Sequence, residues 1–209
     1  MTAYAQQERA ALSDLFDQVG PSAPTLCEGW KTADLAAHLV IRERRPDAAP
    51  GMIIPLLSGH TDAVQRSVRD GGPWPQLVDK VRSGPPLPFR LGPVDEAINT
   101  VEYFVHHEDV RRAQADWAAR PLDPGLARAL WSRLTAAGRI LGRRAPAGVV
   151  FVSPGHGRAT MKAGHPEVTV SGDPGELVLF AFGRSQVARV ELQGDDVSVE
   201  RVRQASFGL

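Results

Sequence analysis

A chain of 209 residues can bury a core without covalent staples, as one domain or as two modest ones. Its 24 Lys and Arg balance its 24 Asp and Glu, which argues against a general nucleic-acid or membrane-surface binder and leaves room only for local charged patches. The single cysteine, Cys27, excludes an internal disulfide framework, no run approaches the roughly 18 apolar residues of a membrane span, and Met1 to Arg9 hold no apolar signal core, so the expected location is the cytoplasm.

Ala5, Leu12, Leu15, Phe16 and Val19 recur with helical period and Gly20-Pro21 closes them, predicting a helix over residues 3–19. A turn at Cys27-Glu28-Gly29-Trp30 leads to a second helix with Thr32 as N-cap and Asp34 in its first turn, running to Arg45 before Pro46. On that helix Leu35, His38, Leu39 and Arg42 share a face, so His38 points inward with the leucines. Between Pro46 and Pro93 the breaks at Pro and Gly leave room for two short helices, 59–70 and 74–83, followed by a stiff Pro-rich crossover over 84–93. A long helix is expected over 94–119. Asp123-Pro124 then opens another, carried on Leu126, Leu130, Leu134 and Leu141 to about Arg143. Four or five helices with two long connections point to an antiparallel bundle over residues 1–146.

After Ala145-Pro146-Ala147-Gly148 the pattern changes. Strands are expected at 149–152, 159–162 and 168–171, a helix from Gly175 to Phe182, and two more strands at 187–192 and 197–202. Residues 147–209 therefore read as a small α+β domain, at about 60 residues too small to be stable unless it packs on the bundle. The fold class is α+β, a helical bundle followed by this smaller unit.

The chemistry concentrates in the stretch Val101 to Arg112. As a helix it aligns Glu102, His106 and Asp109 along one side, together with Ile98, Val101 and Val105. A carboxylate and an imidazole on an apolar stripe cost several kcal/mol to bury without partners. A divalent metal would remove that cost, since Glu-x-x-x-His supplies two ligands from one helix and His38 supplies a third. Two imidazoles and one carboxylate leave positions open for water or substrate, and suit Zn, Ni, Fe or Mn alike. Taken singly, His38 also fits a satisfied core histidine and Glu102 a salt-bridged surface group. Asp109 can accept the other ring N–H of His106 or pair with Arg112 or Arg42. His107, rotated about 100° from its neighbour, reads as a supporting or surface group. His60, His156 and His165 lie in turns, exposed to solvent. Cys27 reads as an inert thiol packed near Trp30, and Trp30, Trp74, Trp117 and Trp131 as core or subdomain-contact residues. No phosphate loop, dinucleotide fingerprint, paired-cysteine zinc motif or nucleophile elbow is present.

The run Leu26-Cys27-Glu28-Gly29-Trp30-Lys31-Thr32-Ala33-Asp34-Leu35-Ala36-Ala37-His38-Leu39 resembles the second-helix signature of the DinB-like, mycothiol-dependent maleylpyruvate isomerase N-terminal domain. Glu102 to Asp109 resembles the second metal motif of that family, and the likeness is nearest to an actinobacterial branch of metal-binding proteins. The resemblance implies a four-helix bundle holding one divalent metal, usually zinc, through the positions of His38, Glu102 and His106. Val168 through Arg184 is similar to the sterol-carrier-like domain that follows this bundle, where an arginine assists substrate binding; the matching position is Arg184. The implied activity is a thiol-dependent transferase or isomerase with mycothiol or a similar thiol as cosubstrate and an electrophilic small molecule as substrate. No nucleic acid or membrane partner is expected, and a homodimer is left open. A non-enzymatic metal-binding or dimerisation protein is the alternative, with a lipid-binding module as a more remote third.

Overall fold

The computed structural model describes residues 3–48, 51, 54, 56, 58–86 and 92–205. Among them it is an α+β protein with eight α-helices and one four-stranded sheet. The chain divides into two compact units, residues 1–118 and 119–209.

The first unit is helical: α1 Tyr4–Val19, α2 Thr32–Arg44, α3 Ser58–Asp70, α4 Trp74–Ser83 and α5 Gly92–Arg111. Helix α1 packs on α5 and α4, and α2 on α3 and α4. Leu12 and Phe16 of α1, Leu35, Ala36, Leu39 and Val40 of α2, Leu77, Val78 and Val81 of α4, and Tyr103 and Val110 of α5 form one buried cluster. Gly20 ends α1 at φ 77°, backbone that a β-carbon would strain.

Two helix ends differ from expectation. The residue before α2 is Lys31, whose N–H is accepted by Asp34 Oδ2 at 3.0 Å. Thr32, expected as the cap, is instead the first helical residue and donates its hydroxyl to Gly20 O at 2.5 Å. Helix α5 stops at Arg111 rather than near Ala119 because its last carbonyls find other donors. Asp109 O accepts from Leu26 N at 3.0 Å and Val110 O from Gln114 Nε2 at 2.7 Å. The expected crossover at 84–93 lies largely outside the described residues.

The second unit holds α6 Pro124–Leu141, a 3-10 turn at Gly142–Arg144, β1 Gly148–Ser153, β2 Gly157–Lys162, β3 Glu167–Ser171, α7 Pro174–Ala181, β4 Glu191–Gln193 and α8 Asp196–Gln204. The sheet order is β2-β1-β3-β4, with β1 parallel to β3 and the other pairs antiparallel. The unit begins a whole helix before the boundary expected at residues 146/147, because α6 packs on β2 and α7. Its glycines permit the approach: a β-carbon on Gly142 would meet Met161 O at 2.5 Å. A sheet too small to bury its own face thus recruits α6 to cover it.

The strand expected at 197–202 is the helix α8. Asp195 caps it, accepting from Ser198 N at 3.0 Å, and its buried positions are Ser198 and Val202, one helical turn apart, while Val197 stays exposed. The alternating valines were compatible with a strand face; the cap and the spacing of four decide for helix. The strand expected at 187–192 shrinks to residues 191–193.

Candidate metal centre

Three side chains from two helices converge in the first unit. His38 from α2 places Nε2 3.7 Å from Glu102 Oε1, and His106, one turn beyond Glu102 on α5, places Nε2 3.3 Å from the same oxygen. One ligating atom from each of the three lies within 4.8 Å of the others. With metal–ligand distances of about 2.0–2.1 Å, a tetrahedral site spaces its donors about 3.3 Å apart, so two imidazoles and a carboxylate at these separations fit a divalent ion. The side chains of His38 and Glu102 remain 16% and 24% exposed, which leaves one edge of the cluster open to solvent.

Behind the cluster the supports are closed. His106 Nδ1 lies 2.9 Å from Asp109 Oδ2, and Asp109 is fully buried. A carboxylate at Asp109 accepts from Nδ1–H, which would leave Nε2 free for a bound metal, while in the arrangement seen Nε2 is the donor toward Glu102. Cys27 Sγ donates to the same Asp109 oxygen at 3.3 Å. The orienting contact of Asp109 to His106 is present, while Arg112 pairs with Glu108 at 2.7 Å and Arg42 reaches Glu102. The Trp30 ring lies 5.2 Å from that of His38, so Trp30 walls the cluster as well as packing on the core.

The three groups shift one another's protonation. Burial lowers the pKa of His38, reinforced by the neighbouring His106 and Arg42 against the opposing pull of Glu102. Burial by itself would raise Glu102, yet hydrogen bonds from His106 and His38 and the charge of Arg42 hold it well below the usual carboxylate range. Burial would likewise lower His106, but Asp109, Cys27 and Glu102 outweigh it and push it well above the usual value.

The structure gives several of the named polar residues partners that the sequence did not indicate. Arg42 Nε stands 3.3 Å from Glu102 Oε1, and its Nη1 donates to Asn99 Oδ1. Its spacing of four from His38 mirrors that of His106 from Glu102, a signal available in the sequence. His107 is buried, its Nδ1 2.9 Å from Glu8 Oε2 of α1. Nothing local in the sequence pairs them, since 99 residues separate the two. His156 is half-buried, its ring 6.5 Å from that of Trp131, whereas His60 and His165 are exposed as expected. Arg184 belongs to the second unit, half-buried just after α7, and donates from Nη1 to Phe182 O at 2.6 Å. No helix among the described residues is long and apolar enough to cross a membrane.

No family model and no curated protein matches the chain. Solved structures of similar fold include a mycothiol-dependent maleylpyruvate isomerase, 18% identical, covering 91% of this chain and 90% of that one, with a TM-score of 0.57. A histidine-to-alanine mutant of the same description superimposes with a TM-score of 0.56 at the same identity and coverage. What the chain shares with these isomerase structures, over nearly its whole length, is the fold.

Proposed function

We propose that the protein binds one divalent metal ion through His38, Glu102 and His106 and uses it to activate a small thiol for attack on an electrophilic substrate, as a transferase or isomerase. The observation that carries the reading is the convergence of the three donors on one solvent-reached edge, in a fold shared with isomerases described as mycothiol-dependent. In this reading residues 1–118 are the DinB-like bundle, the second unit is the sterol-carrier-like domain, and the thiol is of the mycothiol class.

A divalent ion bound there would lower the pKa of a coordinated thiol, supplying a nucleophile at neutral pH. The chain's own residues prepare that position. Asp109 fixes the tautomer and ring plane of His106, Trp30 limits the movement of His38, and Glu102 acts as a ligand rather than as a free base. Arg184 enters as the group that holds a substrate carboxylate, supported by the likeness of the segment ending at Gly183-Arg184; Arg184→Ala is expected to raise KM while leaving metal content unchanged.

One observation favours a second, non-enzymatic reading. Glu102 has three cationic or hydrogen-bonding neighbours in His38, Arg42 and His106, which suits a charge network or a simple metal holder. Elemental analysis of the purified protein separates these. One metal per chain, lost in His38→Ala and in His106→Ala, supports the centre, and stoichiometric metal surviving in both variants refutes it. Thiol-dependent consumption of chlorodinitrobenzene or maleylpyruvate, abolished in His106→Ala, then distinguishes enzyme from holder.

A further inference from the structure

Cys27 stands beside the cluster, and the proposed reaction leaves it without a task. It is half-buried in the turn over residues 25–30 that leads into α2, and one ligating atom each from Cys27, His106 and Asp109 lies within 4.8 Å of the others. The turn is closed on itself. Thr25 donates its hydroxyl to Trp30 O at 2.9 Å and accepts from Cys27 N at 3.2 Å, and Trp30 N donates to Cys27 O at 3.0 Å. Pro24 and Lys31 form an antiparallel bridge at its base. From this frame two groups reach one residue of α5. Leu26 N donates to the Asp109 carbonyl at 3.0 Å, and Cys27 Sγ donates at 3.3 Å to Asp109 Oδ2, the oxygen that also faces His106 Nδ1 at 2.9 Å.

The place of Asp109 in its helix makes those contacts matter. It lies in the last turn of α5, which ends at Arg111, where carbonyls lack partners within the helix and the backbone frays. A carboxylate carried on such a turn holds an imidazole only as firmly as the turn itself is held. Leu26 restrains the backbone of Asp109 and Cys27 its carboxylate. Asp109 is fully buried, so a donor taken from its carboxylate is not replaced by bulk water. A thiol suits the position because it is a weak donor that otherwise packs as a small apolar side chain. The same turn ends at Trp30, whose ring lies 5.2 Å from that of His38, so one segment bears on both imidazoles.

We infer that Cys27 is a positioning residue of the metal centre: its thiol steadies the Asp109 carboxylate, and through it the ring of His106, without itself binding the ion. The role rests on the metal reading above and adds to it a link from the turn before α2 to the ligand on α5.

The test titrates the full chain with Co(II), whose visible spectrum reports affinity and coordination without any assay of turnover. Cys27→Ala is expected to bind Co(II) on the order of fivefold more weakly than the wild type, the worth of about one hydrogen bond. Cys27→Ser, whose hydroxyl can donate to the same oxygen, should restore most of that loss. In an Asp109→Ala background the further change Cys27→Ala should alter affinity by less than about twofold, because the residue it acts through is gone. Unchanged affinity in Cys27→Ala, an equal loss in Cys27→Ser, or full additivity with Asp109→Ala would each overturn the inference. So would a near-ultraviolet thiolate-to-cobalt absorption in the wild type that vanishes in Cys27→Ala, since it would make Cys27 a ligand. Failure of the wild type to take up Co(II) would remove the metal reading itself and this role with it, a result told apart from the others because no cobalt spectrum develops. If the double variant fails to fold, Thr25→Val, which opens the turn and keeps the thiol, is expected to weaken Co(II) binding in the same direction; unchanged affinity there counts against the role.

Discussion

Helix α5 carries two sets of ionisable side chains on neighbouring faces, and their difference separates a binding site from a structural network. On one face His107 meets Glu8, and close by Arg112 meets Glu108, in pairs 2.9 and 2.7 Å long with side chains at most 9% exposed. Arg9 and Glu43 form a similar buried pair across α1 and α2. On the other face Glu102 is crowded by His38, His106 and Arg42, while the edge of the cluster stays open. Buried polar groups in opposed pairs satisfy one another and ask for nothing more. Donors that converge on a single oxygen beside solvent compete for it, and a cation placed among them relieves that competition. Burial alone would have ranked His107 above His38; convergence reverses the order.

The sharpest way to break this comparison is to remove one residue from each face. His106→Ala is expected to abolish stoichiometric metal, measured by elemental analysis, whereas His107→Ala should retain it. The reverse holds for stability. Removing one partner from a buried pair leaves the other unsatisfied, so Glu8→Ala should lower unfolding stability by about 3 kcal/mol in denaturant titrations of the metal-free protein. Loss of metal in the His107 variant, with stability untouched in the Glu8 variant, would dissolve the distinction between the faces.

Smaller effects refine it. Asp109→Asn keeps the shape of the support and removes its charge, and metal affinity should fall roughly 10- to 100-fold, as for other residues that orient a ligand imidazole. An unchanged affinity would mean that His106 needs no orienter. The pH dependence carries a definite sign. The pKa of His106 in the folded, metal-free chain is raised above its ordinary 6.5, so its charged form stabilises the fold fully below pH 6.5, and that contribution is lost as pH rises through the raised value. Metal needs the neutral ring, so protons compete beyond pH 6.5. Affinity should still be climbing above pH 6.5, with about one proton released per metal near neutrality. Calorimetry in two buffers of different ionisation enthalpy measures that proton, and a plateau in affinity at pH 6.5 would count against the raised value.

Sequence pattern alone determined the helices that border the cluster and the alignment of Glu102, His106 and Asp109, because helical spacing is a local property. It also brought out three of the strands, whose apolar runs lie between glycines, and it placed His38 on the leucine face of α2. The tertiary structure decided what local spacing leaves open. Leu26 takes the Asp109 carbonyl and ends α5 early. The sheet, too small to cover itself, draws α6 into the second unit. Asp195 turns an alternating valine run into a helix. Glu8, distant in the chain, claims His107 and removes it from the surface. In each case the deciding partner is remote in sequence or a single capping side chain, and the periodicity of an isolated segment carries no record of either. The same holds at the candidate site: the ligand types were legible one helix at a time, but the approach of Arg42 to Glu102 exists only where α2 and α5 meet.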